Sequence, residues 1–215
     1  MSTSSILRET LIWIQLAAAL VGLFYWPKLK HSYWKWFIVY LCIIFFVEAF
    51  SKWGLKDTPT YRVYLYDFFG IPIQFIFYYW LYAVKSLKNP ALFWLCIFLY
   101  AISFLPYFTL FAKGSIVYSL SYTVGNVLLM LMVFLEIFKQ IKSEKILLFR
   151  SNFMFYINIG IMLFYIGTLP FFSFYGLILK DLQIWTSYYI FFMIANHIMY
   201  LLFINAFVWG KPNTF

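Results

Sequence analysis

Charged side chains are what this sequence has least of: Asp, Glu, Lys and Arg make up 11% of 215 residues, against 65% hydrophobic. No water-soluble surface can be assembled from that inventory. Cysteine is nearly missing too. Cys42 and Cys96 both fall inside apolar runs, which excludes a thiolate metal centre by number and argues against a structural disulfide. The apolar runs hold too few histidines and carboxylates for the convergent ligand set of a metal hydrolase. There is no phosphate-binding glycine loop and no nucleophile elbow. The last apolar run carries no lysine on which a retinal Schiff base would form. Zinc chemistry, ATP hydrolysis and light sensing are disfavoured on these grounds, and neither a cofactor nor a metal is expected.

Sixteen basic against seven acidic residues give a net charge of +9, but the sequence predicts no nucleic-acid partner. The Lys and Arg residues are scattered between apolar runs instead of clustering as a phosphate-binding patch does. That scatter is the distribution of membrane loops, with the lipid bilayer and its anionic headgroups as the partner.

Seven apolar stretches are long enough to cross a bilayer, placed at Thr10–Trp26, Tyr33–Phe50, Tyr64–Val84, Ala91–Ala112, Ser115–Phe138, Asn152–Leu179 and Ile184–Val208. The first is too long for a secretory signal core and is read as a retained span. Breakers separate the stretches: Pro27, Gly54 with Pro59, Asn89 with Pro90, and Gly114. Trp26, Trp34, Trp36, Trp53, Trp185 and Trp209 mark span ends in the manner of an interfacial aromatic belt. The side holding the first, third and fifth loops and the C-terminus carries ten Lys and Arg residues, the other side six. The sequence therefore predicts an all-α polytopic membrane protein. It is a single transmembrane domain over residues 1–215, a seven-transmembrane helix bundle with its N-terminus outside and its C-terminus cytoplasmic. Pro72, Pro106 and Pro170 lie within the third, fourth and sixth spans, where each removes a backbone donor and bends its helix. No convincing internal repeat accompanies them.

Polar groups are expensive in hydrocarbon, so those within the spans are the candidates for function. They form three layers. Glu48, Lys52, Arg62 and Asp67 lie near the outer face, with Glu48 and Lys52 at the i, i+4 spacing of a helical ion pair. Gln74, Asn126, Asn196 and His197 lie near mid-membrane. Two stripes run through this layer, Ser119–Tyr122–Asn126 and Tyr189–Asn196–Tyr200, each on one helical face. Glu136 and Asn158 lie toward the cytoplasmic end, with Glu136 three residues before Lys139. Two readings of the stripes stand together: Gln74, Tyr122, Asn126, Asn196, His197 and Tyr200 line a ligand cavity, or they serve as interhelical hydrogen-bond glue. A lone buried histidine such as His197 is more often a satisfied hydrogen-bonding group than a ligand or base, although its pKa range also suits proton sensing.

The runs Tyr122-Thr-Val-Gly-Asn126, Leu135-Glu136-Ile-Phe, Asn158-Ile-Gly160, Phe164-Tyr165-Ile-Gly167-Thr-Leu-Pro170 and Asn196-His-Ile-Met-Tyr200, with Glu48 late in the second span, carry a resemblance. The chain resembles a group of uncharacterised small seven-span bacterial membrane proteins, whose helices are similar to the membrane-embedded sensor halves of some histidine kinases. The likeness covers about half the chain, and Gln74 stands where the group has an acidic residue. It implies a multi-pass protein of the bacterial inner (cytoplasmic) membrane. A sensor of this kind is expected to signal through a protein partner, because no output domain follows Phe215.

Three functions follow as expectations. The first is a ligand-sensing or signal-relaying helical bundle, with a small molecule or lipid as ligand. The second is a transporter or an oligomeric pore-forming accessory or effector subunit, in which a homo-oligomer would build the path. The third is a membrane lipid enzyme with Ser119, Ser121, His197 and Asp67 as its chemistry; the sequence leans away from an enzyme.

Overall fold

In lipid a chain must pair its own backbone groups, and helix is the state this chain adopts almost throughout. The computed structural model describes residues 3–106, 114–143, 150–178 and 180–211, the side chains of 114–119, 172, 175 and 176 excepted. Its elements are α1 Thr3–Phe24, α2 Trp26–Leu29, α3 Lys35–Ala49, α4 Pro59–Leu65, α5 Ile71–Tyr79, α6 Pro90–Ile102, α7 Gly114–Lys142, α8 Phe153–Ser173, α9 Tyr175–Ile178 and α10 Leu182–Trp209. Three π-helical segments, Phe50–Gly54, Tyr66–Gly70 and Trp80–Ser86, continue α3, α4 and α5. No strand occurs among the described residues.

Five helices are long and apolar enough to cross a membrane: Thr3–Phe24, Lys35–Gly54, Leu120–Lys142, Phe153–Phe171 and Leu182–Trp209. The stretch read as a third span is a helical path from Pro59 to Ser86 broken into α and π pieces. The stretch read as a fourth begins as α6, only 13 residues long; its end, 107–113, lies outside the described residues, next to Pro106. Local chemistry sets several boundaries. Asn89 caps α6 by accepting from Leu92 N at 3.1 Å, with Pro90 in the first turn. Asp181 caps α10 by accepting from Gln183 N and Ile184 N at 2.9 and 3.1 Å. Pro72 has no N–H to donate to the preceding turn, and the π turn Tyr66–Gly70, with its one extra residue, lies immediately upstream. Pro170 stays inside α8, which ends at Ser173 before the short α9.

The helices pack as a ring. α1 lies between α3 and α10, α10 packs most extensively on α8, α8 on α7, and α7 on α5. The ring closes between α5 and α3, where Tyr40 OH donates to Tyr78 OH at 2.9 Å and the Tyr40 ring stacks on Phe77 with centroids 4.2 Å apart. α6 stands outside this ring against α7 and the segment Trp80–Ser86.

Because lipid tails are as apolar as Leu, helices associate here through close packing instead of water exclusion. Aromatic rings supply that packing. At the end of the bundle where α3 and α8 begin and α10 ends, Phe37 meets Trp34, Phe153, Phe203 and Phe207 with centroids 5.1 to 6.4 Å apart. Each such edge contact is worth about 0.5–1.5 kcal/mol beyond area burial. A second tier surrounds Phe75, whose ring meets Tyr100, Tyr122 and Tyr165 at 5.3 to 5.8 Å. Gly125 of α7 makes this tier possible: its missing side chain leaves room for the Phe75 ring, and its carbonyl accepts from Tyr79 OH at 2.8 Å.

Candidate functional site

The opposite end of the ring is not filled. Where α1 and α10 begin and α3 and α8 end, the helices enclose a cavity of about 620 Å³. Arg8, Gln15, Lys52, Arg62, Gln74, Trp185, Asn196 and Tyr200 are among the residues that line it. On α10 the lining runs from Trp185 to Tyr200, fifteen residues, so the cavity reaches roughly 20 Å along the helix axis. Its inner end is closed by side chains: Gln15 Nε2 donates to Tyr200 OH at 3.4 Å, and the Tyr200 ring rests on Phe203 at 5.7 Å.

The walls differ in chemistry. α8 and α10 contribute an aromatic wall, with Phe171 against Trp185 and Phe192 at 5.1 and 5.8 Å and Phe164 against Phe192 at 5.5 Å. α1, α3 and the π turn Tyr66–Gly70 contribute carboxylates and amides. Tyr66 OH donates to Glu48 Oε2 at 2.7 Å. Lys52 Nζ donates to Glu9 Oε2 across to α1 at 2.6 Å. Arg62 Nη2 donates to the carbonyls of Leu55 and Lys56 at 3.1 and 3.3 Å.

Two buried acceptors in this cavity have no donor among the described residues. Gln15 Oε1 and Asn196 Oδ1 belong to side chains only 3% and 8% exposed, and neither oxygen has a hydrogen-bond partner. Glu48 and Asp67, which share the cavity, have no ion-pair partner among the described residues. Groups of this kind are normally satisfied in native structures.

The chain stands by itself in comparison with known proteins. No family model matches it, and neither a curated protein nor a solved structure matches it.

Of the residues singled out from the sequence, Gln74, Tyr122, Asn196, Tyr200, Glu48, Lys52, Arg62 and Asp67 all line the cavity. Asn126 and His197 do not. Asn126 Nδ2 donates to Tyr165 O at 2.8 Å, bridging α7 and α8. His197 Nδ1 donates to Met193 O at 2.7 Å, and its Nε2 lies 3.0 Å from Thr10 Oγ1. Glu48 and Lys52 do not pair with each other: the π segment beginning at Phe50 takes them out of i, i+4 register, and Lys52 reaches Glu9 instead. Of the residues named for a lipid enzyme, Asp67 lines the cavity whereas Ser121 and His197 do not, and the Ser119 side chain lies outside those described. Gln15 was not anticipated. A single amide in the run Leu11–Leu20 is the signal that marks it.

Glu136 and Asn158 belong to a separate cluster at the other end. Glu136 is fully buried. It accepts from Ser86 Oγ, from Gln140 Nε2 at 3.0 Å and from Lys139 Nζ at 3.4 Å, and Asn152 Nδ2 extends the network to Gln140 Oε1 at 3.3 Å. Tyr82 OH donates to Asn158 Oδ1 at 2.7 Å. Glu136 thus holds α7 against the segment Trp80–Ser86 as well as meeting Lys139 three residues on.

Proposed function

We propose that this chain is a membrane-embedded receptor for a small amphipathic molecule, which it takes up from the outer side and whose presence it relays to a protein partner. The observation that carries this reading is the cavity of about 620 Å³, closed at its inner end and lined by carboxylates and amides on one side and aromatic rings on the other. In this proposal the chain makes seven spans in the bacterial cytoplasmic membrane. The five long apolar helices are joined by the helical path Pro59–Ser86 and by a span begun by α6. The basic loops, the C-terminus and the Glu136 cluster then face the cytoplasm, and the cavity faces outward.

A transporter or oligomeric pore is the competing reading. The packed rings of Phe37, Phe153, Phe203 and Phe207 across the inner half of the ring weigh against a path through one subunit.

Native mass spectrometry of protein released from detergent tests the proposal. A monomer or dimer carrying a reproducible small-molecule or lipid mass is expected, and that mass should be lost from a folded Asn196→Leu variant. A closed higher oligomer with no discrete adduct would overturn the receptor reading in favour of the pore.

A further inference from the structure

The amides carried by these helices turn toward the interior of the ring with one exception. Gln15, Gln74 and Asn196 line the cavity, and Asn126 and Asn158 bridge helices through Tyr165 and Tyr82. Asn205 does neither. It follows Asn196 on α10 by nine residues, which turn the helix through about two and a half revolutions. Its side chain therefore leaves the ring on the side opposite Asn196. It makes no side-chain hydrogen bond among the described residues, and its amide is open at the protein surface.

The side chains around Asn205 are those that face lipid. Phe191, Ile194, Ile198, Leu201 and Val208 are 39 to 50% exposed, and together with Asn205 they form one stripe along α10, spaced alternately three and four residues apart. α1 and α8 pack on the other flanks of α10, so the stripe is the crest of that side of the ring. An apolar crest is what a bilayer requires and by itself implies no partner. Asn205 breaks the pattern. It lies one turn inside Trp209, level with Phe203 and Phe207 of the tier around Phe37, where lipid tails offer its amide neither donor nor acceptor.

A side-chain amide is at once donor and acceptor, so two copies of Asn205 can exchange hydrogen bonds. Chains inserted in the same direction and related by a twofold axis along the membrane normal bring their α10 helices together in parallel, and each residue near the axis meets its own counterpart. The stripe has the spacing such a pair needs. Written as heptads, Phe191, Ile198 and Asn205 occupy position a, and Ile194, Leu201 and Val208 occupy position d. A β-branched residue at a with leucine at d suits two parallel strands, and a single asparagine at a fixes register and strand number. The same left-handed crossing is the commonest one between helices in membranes.

We propose that the protein is a homodimer in the membrane, joined along α10, with the two Asn205 amides bonded to each other across the twofold axis. A second copy supplies both halves of the amide pair, which a lipid tail does not. The seam shares no residue with the cavity lining, so the dimer stands whether or not the cavity takes a ligand.

The test counts subunits of the full-length protein, labelled once per chain, by single-molecule photobleaching in phosphatidylethanolamine–phosphatidylglycerol liposomes over a range of protein-to-lipid ratios. The parent should be dimeric at dilutions where Asn205→Leu is monomeric. An interhelical amide bond accounts for roughly a three- to thirtyfold change in dissociation constant. Asn205→Gln, which keeps an amide, should dissociate less readily than Asn205→Leu, and equal unfolding temperatures for the three proteins establish that the variants are folded. The geometry is tested separately by oxidative crosslinking in liposomes in a Cys42→Ser, Cys96→Ser background. Val208→Cys should give a disulfide-linked dimer, and Leu163→Cys, on the exposed side of α8, should not. A monomer at every ratio, an assembly of more than two chains, or a dissociation constant unchanged by Asn205→Leu overturns the proposal. Crosslinking at Leu163→Cys as efficient as at Val208→Cys overturns it as well.

Discussion

Gly125 is the residue on which the central packing turns. A Cβ built there would lie 2.7 Å from the Phe75 ring, which is itself fully buried among Tyr79, Tyr100, Tyr122 and Tyr165. The ring has nowhere to move, so overpacking of this kind costs about 1–3 kcal/mol. Gly125→Ala should therefore lower the unfolding temperature in detergent, and the double variant Gly125→Ala, Phe75→Leu should recover most of the loss; an unchanged unfolding temperature in the single variant would refute this. Gly70→Ala serves as the control, since its Cβ would meet nothing closer than 3.4 Å. At this scale the sequence was informative where polarity was rare. Gln74, Asn196, Glu48 and Asp67 stand out because few such groups lie in apolar runs, and all four line the cavity. The sequence could not separate them from Asn126, whose amide spans α7 and α8, because a glue residue and a lining residue have the same composition and spacing. Gln15 escaped because the positions three and four away on its own helix are all apolar; its meaning comes from Tyr200, 185 residues away.

Among the elements, the path Pro59–Ser86 departs furthest from a plain transmembrane helix. Apolar run length located it, yet nothing in hydropathy announces a π turn; Pro72 is its sole local cue. The same limit applies at Phe50–Gly54, where the lost register between Glu48 and Lys52 follows from backbone geometry that spacing rules do not contain. Pro72→Ala returns a backbone donor to this stretch and removes the ring that disfavours an unbroken α-helix there. The π turn can then relax to α geometry, which rotates the residues upstream by about 100° and carries Tyr66 and Asp67 out of the cavity. The expected outcome is an unfolding temperature equal to or above that of the parent, with about a tenfold loss of retained ligand by mass spectrometry. Undiminished retention would mean that the π turn is set by packing and not by the proline.

For the whole molecule, the decisive arrangement is a ring open at one end and filled with aromatic side chains at the other. Seven runs and a loop-charge bias could be read from the sequence, but not that the interior divides in this way, since Phe and Tyr are distributed along every span. The arrangement predicts that purified protein in liposomes passes neither ions nor small solutes, measured as dye and potassium release. Leak in the parent that disappears on adding bulk within the filled end would require a conducting path and would favour the transporter reading. The unfilled end of the ring reaches beyond binding to the life of the protein in its membrane. A ligand present at a hundredfold excess over its dissociation constant stabilises the fold by about 2.7 kcal/mol through mass action. Proteolytic quality control removes the less stable fraction of a protein preferentially. On the receptor reading, chains that find their ligand therefore outlast those that do not, and the quantity of protein in the membrane becomes a slow record of how much ligand has been supplied.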